Sequence, residues 1–192
     1  AAHAAKRAGI DNLITYDMGV TSTDVALVMD AVPAVSNELD VEYAMPIHVP
    51  MVDVRTIGSG GGSIAAVSDA GLLKVGPESA GASPGPICYG RGGAEPTITD
   101  ANLLLGRLNP ENLLSTENAL SLDAIRGTFD DKIAGPLSID TDAAAGAVIR
   151  VANDRMAGAI RIVSISKGHD PRDFTLFAFG GAGPLHAVAL AR

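Results

Sequence analysis

The stretch Asp17-Met18-Gly19-Val20-Thr21-Ser22-Thr23-Asp24 decides the fold, because it separates two apolar runs at residues 13–16 and 25–28. These runs predict two short strands, at residues 12–17 and 22–30, that pair as a hairpin. The polar residues between them would gather backbone N–H groups and hydroxyl donors in one small concavity, with a carboxylate at each end. We interpret the stretch as a phosphate-binding hairpin in which an aspartate holds Mg²⁺, directly or through water. The alternative is a polar turn without a ligand.

A second glycine cluster, Gly180-Gly181-Ala182-Gly183-Pro184, follows an apolar run at residues 174–179. The run predicts a buried strand, and residues 185–190 predict a helix for which Pro184 suits the first position. Glycine between a strand and a helix permits unusual φ angles and a close approach of the backbone to a nucleotide. The cluster is not a dinucleotide fingerprint, because His186 stands where that motif requires its last glycine. A tight turn without a ligand is again the alternative.

Glycine also dominates the middle of the chain. Residues 58–63 lead into a second predicted hairpin, with strands at residues 63–67 and 72–75. They do not form a P-loop, because no Lys precedes Ser63. The Gly/Pro-rich run at residues 76–93 is typical either of a disordered segment or of a loop kept for function. Four interleaved residues argue against a simple flexible linker: Ile87, Cys88, Tyr89 and Arg91.

Helices are predicted near residues 99–108, 117–130 and 142–167, which makes this a mixed α/β chain. The last helix has the clearest pattern, and Thr141 suits its N-cap. Its buried face is predicted at Val148, Ala152, Ala159 and Val163. We place a candidate subdomain boundary near residues 130–141, where a Gly-Pro pair interrupts two helical patterns.

Composition narrows the class of protein. The formal net charge of −8 over 192 residues, without a basic stripe, argues against a nucleic-acid-binding surface. No apolar stretch is long enough to span a bilayer, so no membrane partner is expected. The single cysteine favours a reducing compartment, and we expect the protein in the cytoplasm. Three histidines are scattered without the spacing of metal ligands: His3, His48 and His169.

Four further side chains each have a chemical and a structural interpretation. Cys88 would be a nucleophile or a packed small residue, and the absence of a neighbouring His favours packing. His186 would be an acid–base group or a packed side chain, and its place near a helix N-terminus favours packing. Asp100 would serve a ligand or begin a helix. Arg91 would reach a phosphate or carboxylate, or donate to carbonyls of its own loop.

Six motifs occur in a fixed order along the chain. They are Asp17-Met18-Gly19-x-Thr21-Ser22-Thr23-Asp24-Val25-Ala26, Ile57-Gly58-Ser59-Gly60-Gly61-Gly62-Ser63-Ile64-Ala65, Val75-Gly76-Pro77-Glu78-Ser79-Ala80-Gly81-Ala82-x-Pro84-Gly85-Pro86, Cys88-Tyr89-Gly90-Arg91-Gly92-Gly93, Pro96-Thr97-x-Thr99-Asp100-Ala101-Asn102-Leu103 and Phe179-Gly180-Gly181-Ala182-Gly183-Pro184-Leu185-His186-Ala187. Together they closely resemble the hydantoinase A/5-oxoprolinase family. The resemblance runs from about residue 13 to the C-terminus.

The resemblance implies an α/β fold of the ribonuclease-H-like type found in actin, Hsp70 and sugar kinases, with a mixed sheet and flanking helices. It implies an ATP-dependent enzyme that hydrolyses cyclic amides such as hydantoins and 5-oxoproline, after ATP has phosphorylated an amide oxygen. A hydantoinase B-like subunit or domain is the implied protein partner. The alternatives are an ATP-dependent ketone carboxylase subunit and a nucleotide-binding or structural half-domain without turnover.

The resemblance also implies roles for single residues. Asp17 and Asp24 would be catalytic, orienting Mg²⁺ and water, with Asp17 as the metal ligand. The residues expected to hold phosphate oxygens are Gly19, Thr21, Ser22 and Thr23. Those expected to flank the adenosine are Gly180, Gly181 and Gly183. One nucleotide can meet both clusters only if the strands at residues 12–17 and 174–179 share a sheet, with the helix at 142–167 on its face.

Two departures from the family pattern affect this expectation. Val20 stands where the family usually has glycine, and its branched side chain would hinder both a positive φ and the approach of the backbone to a phosphate. Nothing in the chain matches the family's first phosphate hairpin, and the chain begins without Met. We therefore expect residues 1–192 to be a fragment of the ATP-binding domain that does not turn over ATP alone.

Overall fold

The two apolar runs beside the central stretch form paired strands, as predicted. The computed structural model describes residues 1–36, 39–41, 45–47, 50–113 and 121–192. In it, β1 (Leu13–Met18) and β2 (Thr23–Met29) run antiparallel, with Asp17 opposite Asp24. The polar residues between the strands therefore lie at the tip of a hairpin.

The remaining elements alternate between strands and helices. The other strands are β3 (Val32–Pro33), β4 (Val35–Ser36), β5 (Leu39–Val41), β6 (Met45–Ile47), β7 (Met51–Val52), β8 (Val54–Ile57), β9 (Ser63–Val67), β10 (Leu73–Ser79) and β11 (Thr175–Phe179). The α-helices are α1 (Ala2–Arg7), α2 (Ile98–Leu104), α3 (Leu122–Phe129), α4 (Gly135–Leu137), α5 (Thr141–Val163) and α6 (Gly183–Leu190). Across these described parts of the chain, no helix combines the length and the apolar character needed to cross a membrane.

A mixed sheet organises the fold. β1 lies between β11, which runs parallel to it, and β2, which runs antiparallel. β3 and β8 both pair antiparallel with β2. The predicted second hairpin is confirmed as β9 and β10, although β10 continues to Ser79 through a register irregularity after Val75. The short pairs β4–β7 and β5–β6 extend the chain between β3 and β8.

Each face of the sheet packs against a helix. Side chains alternate along a strand, so Tyr16 and Met18 on β1 face the core with α5, while Leu13 faces the small cluster with α1. The Tyr16 hydroxyl donates to the sulfur of Met156 on α5 at 2.6 Å. The predicted buried face of this helix is confirmed, since all four of its positions are buried: Val148, Ala152, Ala159 and Val163. A long helix on the sheet therefore carries the chain back to β11.

Helix boundaries differ from the predictions where side-chain chemistry decides them. Asp140, not Thr141, caps α5, because its carboxylate accepts the Ala143 N–H at 2.8 Å. The Thr141 hydroxyl instead donates to the carboxylate of Asp130. α5 ends at Val163, earlier than predicted, and α2 ends at Leu104 rather than near 108. Residues 117–120 of the second predicted helix lie outside the described residues, as does His48.

Residues 130–137 continue the helical path from α3. A π-helical turn spans Asp130–Ala134 and α4 follows directly; α4 ends at Leu137, and Ser138 after it has a φ of 55°. Ile133 and Ala134 are buried in the same core as α5. The subdomain boundary near residues 130–141 stays a prediction.

Asp100 holds the Gly/Pro-rich run in place. Its buried carboxylate accepts the backbone N–H groups of Ile87 at 3.2 Å and Cys88 at 2.8 Å. It also accepts the N–H and the hydroxyl of Thr97, which completes the capping box of α2. Burial raises the pKa of the Asp100 carboxyl, and the hydrogen bonds from Thr97, Cys88 and Ile87 oppose that rise. The interpretation of Asp100 as a residue that begins a helix is confirmed, and the run it anchors is an ordered loop.

We expect Asp100→Ala to lower the free energy of unfolding by about 2–4 kcal/mol, because three buried N–H groups would lose their acceptor. Urea titration followed by circular dichroism measures the change. Asp123→Ala is the matched control, since Asp123 is an exposed first-turn acid of α3; its loss should stay within about 1 kcal/mol. Equal losses in the two variants would show that the Asp100 carboxylate does not hold the Gly/Pro-rich run in place.

Candidate functional site

The tip of the first hairpin, residues 19–22, is an open turn that we call the hairpin turn. Gly19 N–H donates to the Ser22 carbonyl at 3.0 Å. Neither Gly19 nor Val20 has a positive φ. The expectation that the branched side chain of Val20 would oppose a positive φ at this position is therefore wrong. Within the described chain, the N–H groups of Val20 and Thr21 donate to no protein acceptor. The Thr21 and Ser22 hydroxyls likewise have no protein partner there. The hairpin turn therefore presents free donors.

Residues 58–63, the glycine segment, support the hairpin turn from behind. Gly61 N–H donates to the Gly19 carbonyl at 2.9 Å, and Gly62 N–H donates to the Val20 carbonyl at 2.7 Å. A Cβ at Gly60 would lie 2.5 Å from the Val20 carbonyl carbon and 2.7 Å from the Ser22 nitrogen. Such contacts are closer than real Cβ atoms tolerate, so glycine is required at position 60 for the two segments to touch.

Thr23 faces the interior instead of the turn. Its side chain is fully buried, and its hydroxyl donates to the carbonyl of Ser59 in the glycine segment. The hydroxyl therefore joins β2 to this segment and does not face the free donors of Thr21. Sequence alone did not distinguish the three hydroxyls, because only the strand register decides which of them points inward.

Asp17 and Asp24 form a pair of like charges. They are directly opposite each other on β1 and β2, which places both carboxylates on one face of the sheet. Asp24 accepts the Thr56 hydroxyl at 2.5 Å, whereas the half-buried Asp17 has no protein partner among the described residues. No group of three or more His, Cys, Asp or Glu side chains in that part of the chain could hold a metal ion. A cation here would need oxygen ligands beyond the two carboxylates.

The second glycine cluster, residues 180–184, is called the glycine turn and abuts this pair. β11 delivers it beside β1, since Phe179 pairs with Asp17. Gly180 has a φ of 80°, and a Cβ there would lie 2.6 Å from the Met18 carbonyl and closer still to Asp17 Oδ1. Ala182 N–H donates to the same Met18 carbonyl at 3.2 Å. The expected geometry is confirmed: both clusters meet at one end of a shared sheet, with α5 on its face.

A pocket of about 370 Å³ opens beside the meeting point. Its walls come from the hairpin turn, the glycine segment, the glycine turn, the Gly/Pro-rich run, α6, and α2 with the residues after it. The lining residues are Gly19, Val20, Gly61, Tyr89, Thr99, Leu108, Asn112, Leu113, Gly181, Ala182 and Leu185. Of the predicted site residues, the structure brings Gly19 and Gly181 into this pocket. Asp17 and Asp24 lie on the opposite face of the sheet from α5.

Another pocket of about 380 Å³ lies between α5, β11 and α6. Its lining includes Ile14, Arg161 and Leu176 but none of the predicted site residues. We assign the site to the first pocket, because that one contains backbone from both glycine clusters.

Two lining residues were not given roles from the sequence. Thr99 donates both its N–H and its hydroxyl to the Gly61 carbonyl, each at 2.8 Å, and so ties α2 to the glycine segment. Tyr89 lines the pocket, and the Arg91 guanidinium lies 6.0 Å from the centroid of the Tyr89 ring. Both residues belong to motifs that carried the family resemblance, which was the available signal.

Three candidate side chains have structural roles. Cys88 is buried, and burial together with the nearby Asp100 carboxylate raises the pKa of its thiol, so it packs as a neutral side chain. Arg91 donates to the Ala82 carbonyl of its own loop at 3.4 Å. His186 is fully buried; burial and the charge of Arg107 lower the pKa of its imidazole to about 4. The packing interpretations of Cys88 and His186 are confirmed.

The fold and this site define a class of protein: an α/β domain in which a polar hairpin and a glycine turn meet at one end of a mixed sheet. The profile of the Hydantoinase/oxoprolinase family matches residues 1–192, and the chain belongs to that family.

Individual relatives agree with this assignment. The chain is 50% identical over 184 residues to caprolactamase subunit alpha of Pseudomonas jessenii, covering 95% of the chain and 26% of that subunit. It is 42% identical to the acetophenone carboxylase gamma subunit of Aromatoleum aromaticum, covering 98% of the chain and 26% of the relative. The chain therefore spans about a quarter of the length of these relatives.

Two solved structures share the fold. The ATP-dependent caprolactamase of Pseudomonas jessenii superposes with a TM-score of 0.87 at 48% identity, over 97% of this chain and 27% of that one. Nucleotide-free acetone carboxylase, an enzyme of ATP-dependent acetone carboxylation, also superposes with a TM-score of 0.87, at 30% identity over 99% of this chain and 27% of that one. The mixed α/β architecture is therefore shared with enzymes that use ATP.

We expect Gly60→Ala to lower the free energy of unfolding by about 1–3 kcal/mol, because the added methyl would collide with backbone of the hairpin turn. The amide resonances of Val20 and Ser22 should shift in NMR spectra of the variant. Gly158→Ala in α5 is the control: its added methyl meets no atom within 4 Å, and it should gain about 0.5–1 kcal/mol from helix propensity. If Gly60→Ala changes neither the free energy of unfolding nor the amide resonances of Val20 and Ser22, Gly60 does not lie against the hairpin turn.

Proposed function

We propose that this chain is the nucleotide-binding part of an ATP-dependent enzyme, and that the hairpin turn holds phosphate oxygens. The observation that carries the proposal is the group of free donors at Val20 and Thr21, next to a glycine turn on the same sheet. Backbone N–H groups of successive turn residues make an anion-binding concavity. Hydroxyls of Thr21 and Ser22 would add donors without adding charge.

The adenosine would occupy the pocket beside the glycine turn. Gly181 and Ala182 supply backbone there, while Leu185 and Tyr89 supply apolar surface. A pocket of about 370 Å³ lies within the range of small-molecule sites. Gly180 and Gly183 would not contact the adenosine, because Gly180 packs on Asp17 and Gly183 packs on Tyr16. They would let the glycine turn lie close to β1. Close backbone approach would therefore replace side-chain contacts on this side of the nucleotide.

Asp17 and Asp24 fit a hydrated Mg²⁺. Like charges directly opposite each other in a sheet destabilise it, and a divalent cation held by these carboxylates would relieve the repulsion. Mg²⁺ in phosphoryl-transfer sites usually keeps several waters and takes one or two carboxylates. When bound, the ion would neutralise charge on the phosphates. Asp17, which has no protein partner in the described chain, is the ligand we assign, with Asp24 oriented by Thr56.

The parent enzyme that we propose hydrolyses a cyclic amide. Caprolactamase and the oxoprolinases of the family carry names for this chemistry. Phosphorylation of the amide oxygen would make the amide carbon electrophilic, so that water adds there and the ring C–N bond breaks. The amine would leave with a proton, and hydrolysis of the remaining acyl phosphate would give the carboxylate and phosphate. This chain would contribute position and charge neutralisation. The second candidate is a ketone carboxylase, favoured by the 42% identity to acetophenone carboxylase gamma subunit and the TM-score of 0.87 to acetone carboxylase.

Fold class, partner and compartment complete the proposal. We assign the sheet to the ribonuclease-H-like class on its order β11–β1–β2–β8, in which β11 alone runs parallel to its neighbour. A hydantoinase B-like subunit is the proposed partner, since two relatives carry subunit names. The single, buried and unpaired Cys88 suits the cytoplasm.

We expect the 192-residue chain to bind Mg²⁺-ADP, and Asp17→Asn to weaken binding about tenfold, or ~1.4 kcal/mol, because the cation would lose a charged ligand. Isothermal titration calorimetry measures both. Asp69→Asn, at an exposed turn between β9 and β10, is the control and should bind like the wild type. Heat no greater than that of dilution would favour a structural half-domain without nucleotide.

We expect Val20→Gly to strengthen Mg²⁺-ADP binding severalfold, because the Val20 side chain, 38% exposed, stands in the wall of the pocket. The extra freedom of the unfolded chain should cost about 1 kcal/mol of stability or less. The same titration applies, with Val32→Gly on the exposed β3 as the control. Unchanged affinity would show that the nucleotide does not approach Val20.

A further inference from the structure

A polar network joins three helices behind the pocket; His186 and Asn102 are buried, Asn153 is half-buried and Arg107 is exposed. His186 on α6 lies between Asn153 on α5 and Asn102 on α2. The His186 Nδ1 is 2.6 Å from Asn153 Oδ1, and its Nε2 is 3.3 Å from Asn102 Nδ2. Asn102 Oδ1 in turn accepts Arg107 Nη1 at 3.3 Å. Buried polar groups such as His186 and Asn102 rigidify a structure when they have hydrogen-bond partners.

The network fixes one tautomer of His186. A guanidinium only donates hydrogen bonds, so Arg107 requires the oxygen of the Asn102 amide on its side. Asn102 Nδ2 then faces His186 and donates to Nε2, while it also donates to the Ile98 carbonyl at 3.2 Å. The imidazole proton must therefore sit on Nδ1, from which it is donated to Asn153 Oδ1. The chain of donors runs in one direction, from Arg107 to Asn153.

The helices joined by this network carry two walls of the pocket. Thr99, on the same helix as Asn102, lines the pocket and holds the Gly61 carbonyl. Ala182 and Leu185, beside His186, line the opposite wall. The separation of these walls depends on how α2 and α6 are held together, and the His186 side chain forms a hydrogen bond with Asn102 across that interface.

We propose that His186 is a positioning residue: as the neutral tautomer protonated on Nδ1, it holds α6 and the glycine turn at a fixed distance from α2 and so sets the width of the pocket. The inference rests on the proposed function only in naming a nucleotide as the occupant. The His186 side chain touches neither the pocket nor its contents, because it is fully buried behind them.

Protonation of His186 would break the network. An imidazolium carries N–H on both nitrogens, so its Nε2 would face the Asn102 N–H donor. The charged group that acts on the ring is Arg107, which follows α2 and repels a second positive charge. From α5 the ring meets the neutral Asn153, whose flanking Arg150 and Asp154 are exposed. Among the residues that the structure describes, no carboxylate is hydrogen-bonded to the ring to compensate its charge.

The stability of the fold should therefore depend on pH through His186. Its pKa in the folded chain is lowered to about 4, below the ordinary value of about 6.5 that applies in the unfolded chain. The contribution of neutral His186 to the free energy of unfolding is then complete above a pH of about 6.5. It falls as the pH drops towards about 4 and changes no further below that. His186→Gln, which has no titrating group, should remove this part of the pH profile. His3→Gln, at an exposed residue of α1, should leave it intact.

Two variants of His186 test the positioning role. His186→Gln keeps an acceptor that Asn102 can reach, whereas His186→Leu keeps volume but no hydrogen bond. We expect Mg²⁺-ADP affinity to fall about tenfold in His186→Leu and to stay within about twofold in His186→Gln. Amide hydrogen exchange of Gly181, Ala182 and Leu185 should accelerate only in His186→Leu. In the wild type, ¹⁵N shifts of the ring should show the proton on Nδ1 at pH 7.

Each outcome decides the inference. Equal affinity and equal exchange in the two variants would overturn it, because packing alone would then hold the helices. A ring protonated on Nε2 would also overturn it, since the donor chain would run the wrong way. If the wild type binds no Mg²⁺-ADP, the proposed occupant fails; slow exchange in the wild type and His186→Gln with fast exchange in His186→Leu would still support the positioning role.

Discussion

Backbone contact between the glycine segment and the hairpin turn is the constraint on which the site depends. The carbonyls of Gly19 and Val20 accept N–H groups from Gly61 and Gly62, which fixes the turn without using the N–H groups of Val20 and Thr21. Those N–H groups stay free because the carbonyl side of the turn carries the support. Gly60 makes the approach possible, since any side chain there would strike the hairpin turn. Rigidity and open donors thus come from the same contact.

Helices extend this arrangement into a walled site. α2 begins at the Thr97–Asp100 capping box, and the same Asp100 carboxylate anchors the loop that presents Tyr89. The N-terminus of α6 follows the glycine turn. α5 packs on the sheet beneath both and supplies Asn153 to the network with His186. Polar residues in this region therefore act mainly on backbone position, which suits a site that would recognise a ligand through main-chain atoms.

The sequence predicts the parts of the fold that depend on periodicity and composition. The β1–β2 hairpin and the buried face of the long helix follow from apolar patterns. The placement of β1 and β11 in one sheet follows from the condition that one nucleotide meets both glycine clusters, whereas their direct pairing comes from the structure. The helix ends are harder to predict from the sequence, because Asp140 and Thr141 both suit an N-cap. Their roles differ only because the Thr141 hydroxyl donates to Asp130 in the folded chain. The inward turn of Thr23 and the pocket walls at Thr99 and Tyr89 depend on register and on contacts between distant segments, which local patterns do not contain.

The negative φ of Val20 has a consequence for how such sites diversify. A turn that needs no left-handed residue at this position places no conformational demand on its side chain. The side chain at position 20 can then vary in size while the main chain of the turn keeps the same conformation. Glycines 60 and 180 have no such latitude, because backbone and a carboxylate occupy the space a side chain would need. Substitutions at position 20 can therefore change the selectivity of the site, whereas substitutions at positions 60 and 180 would disturb the backbone.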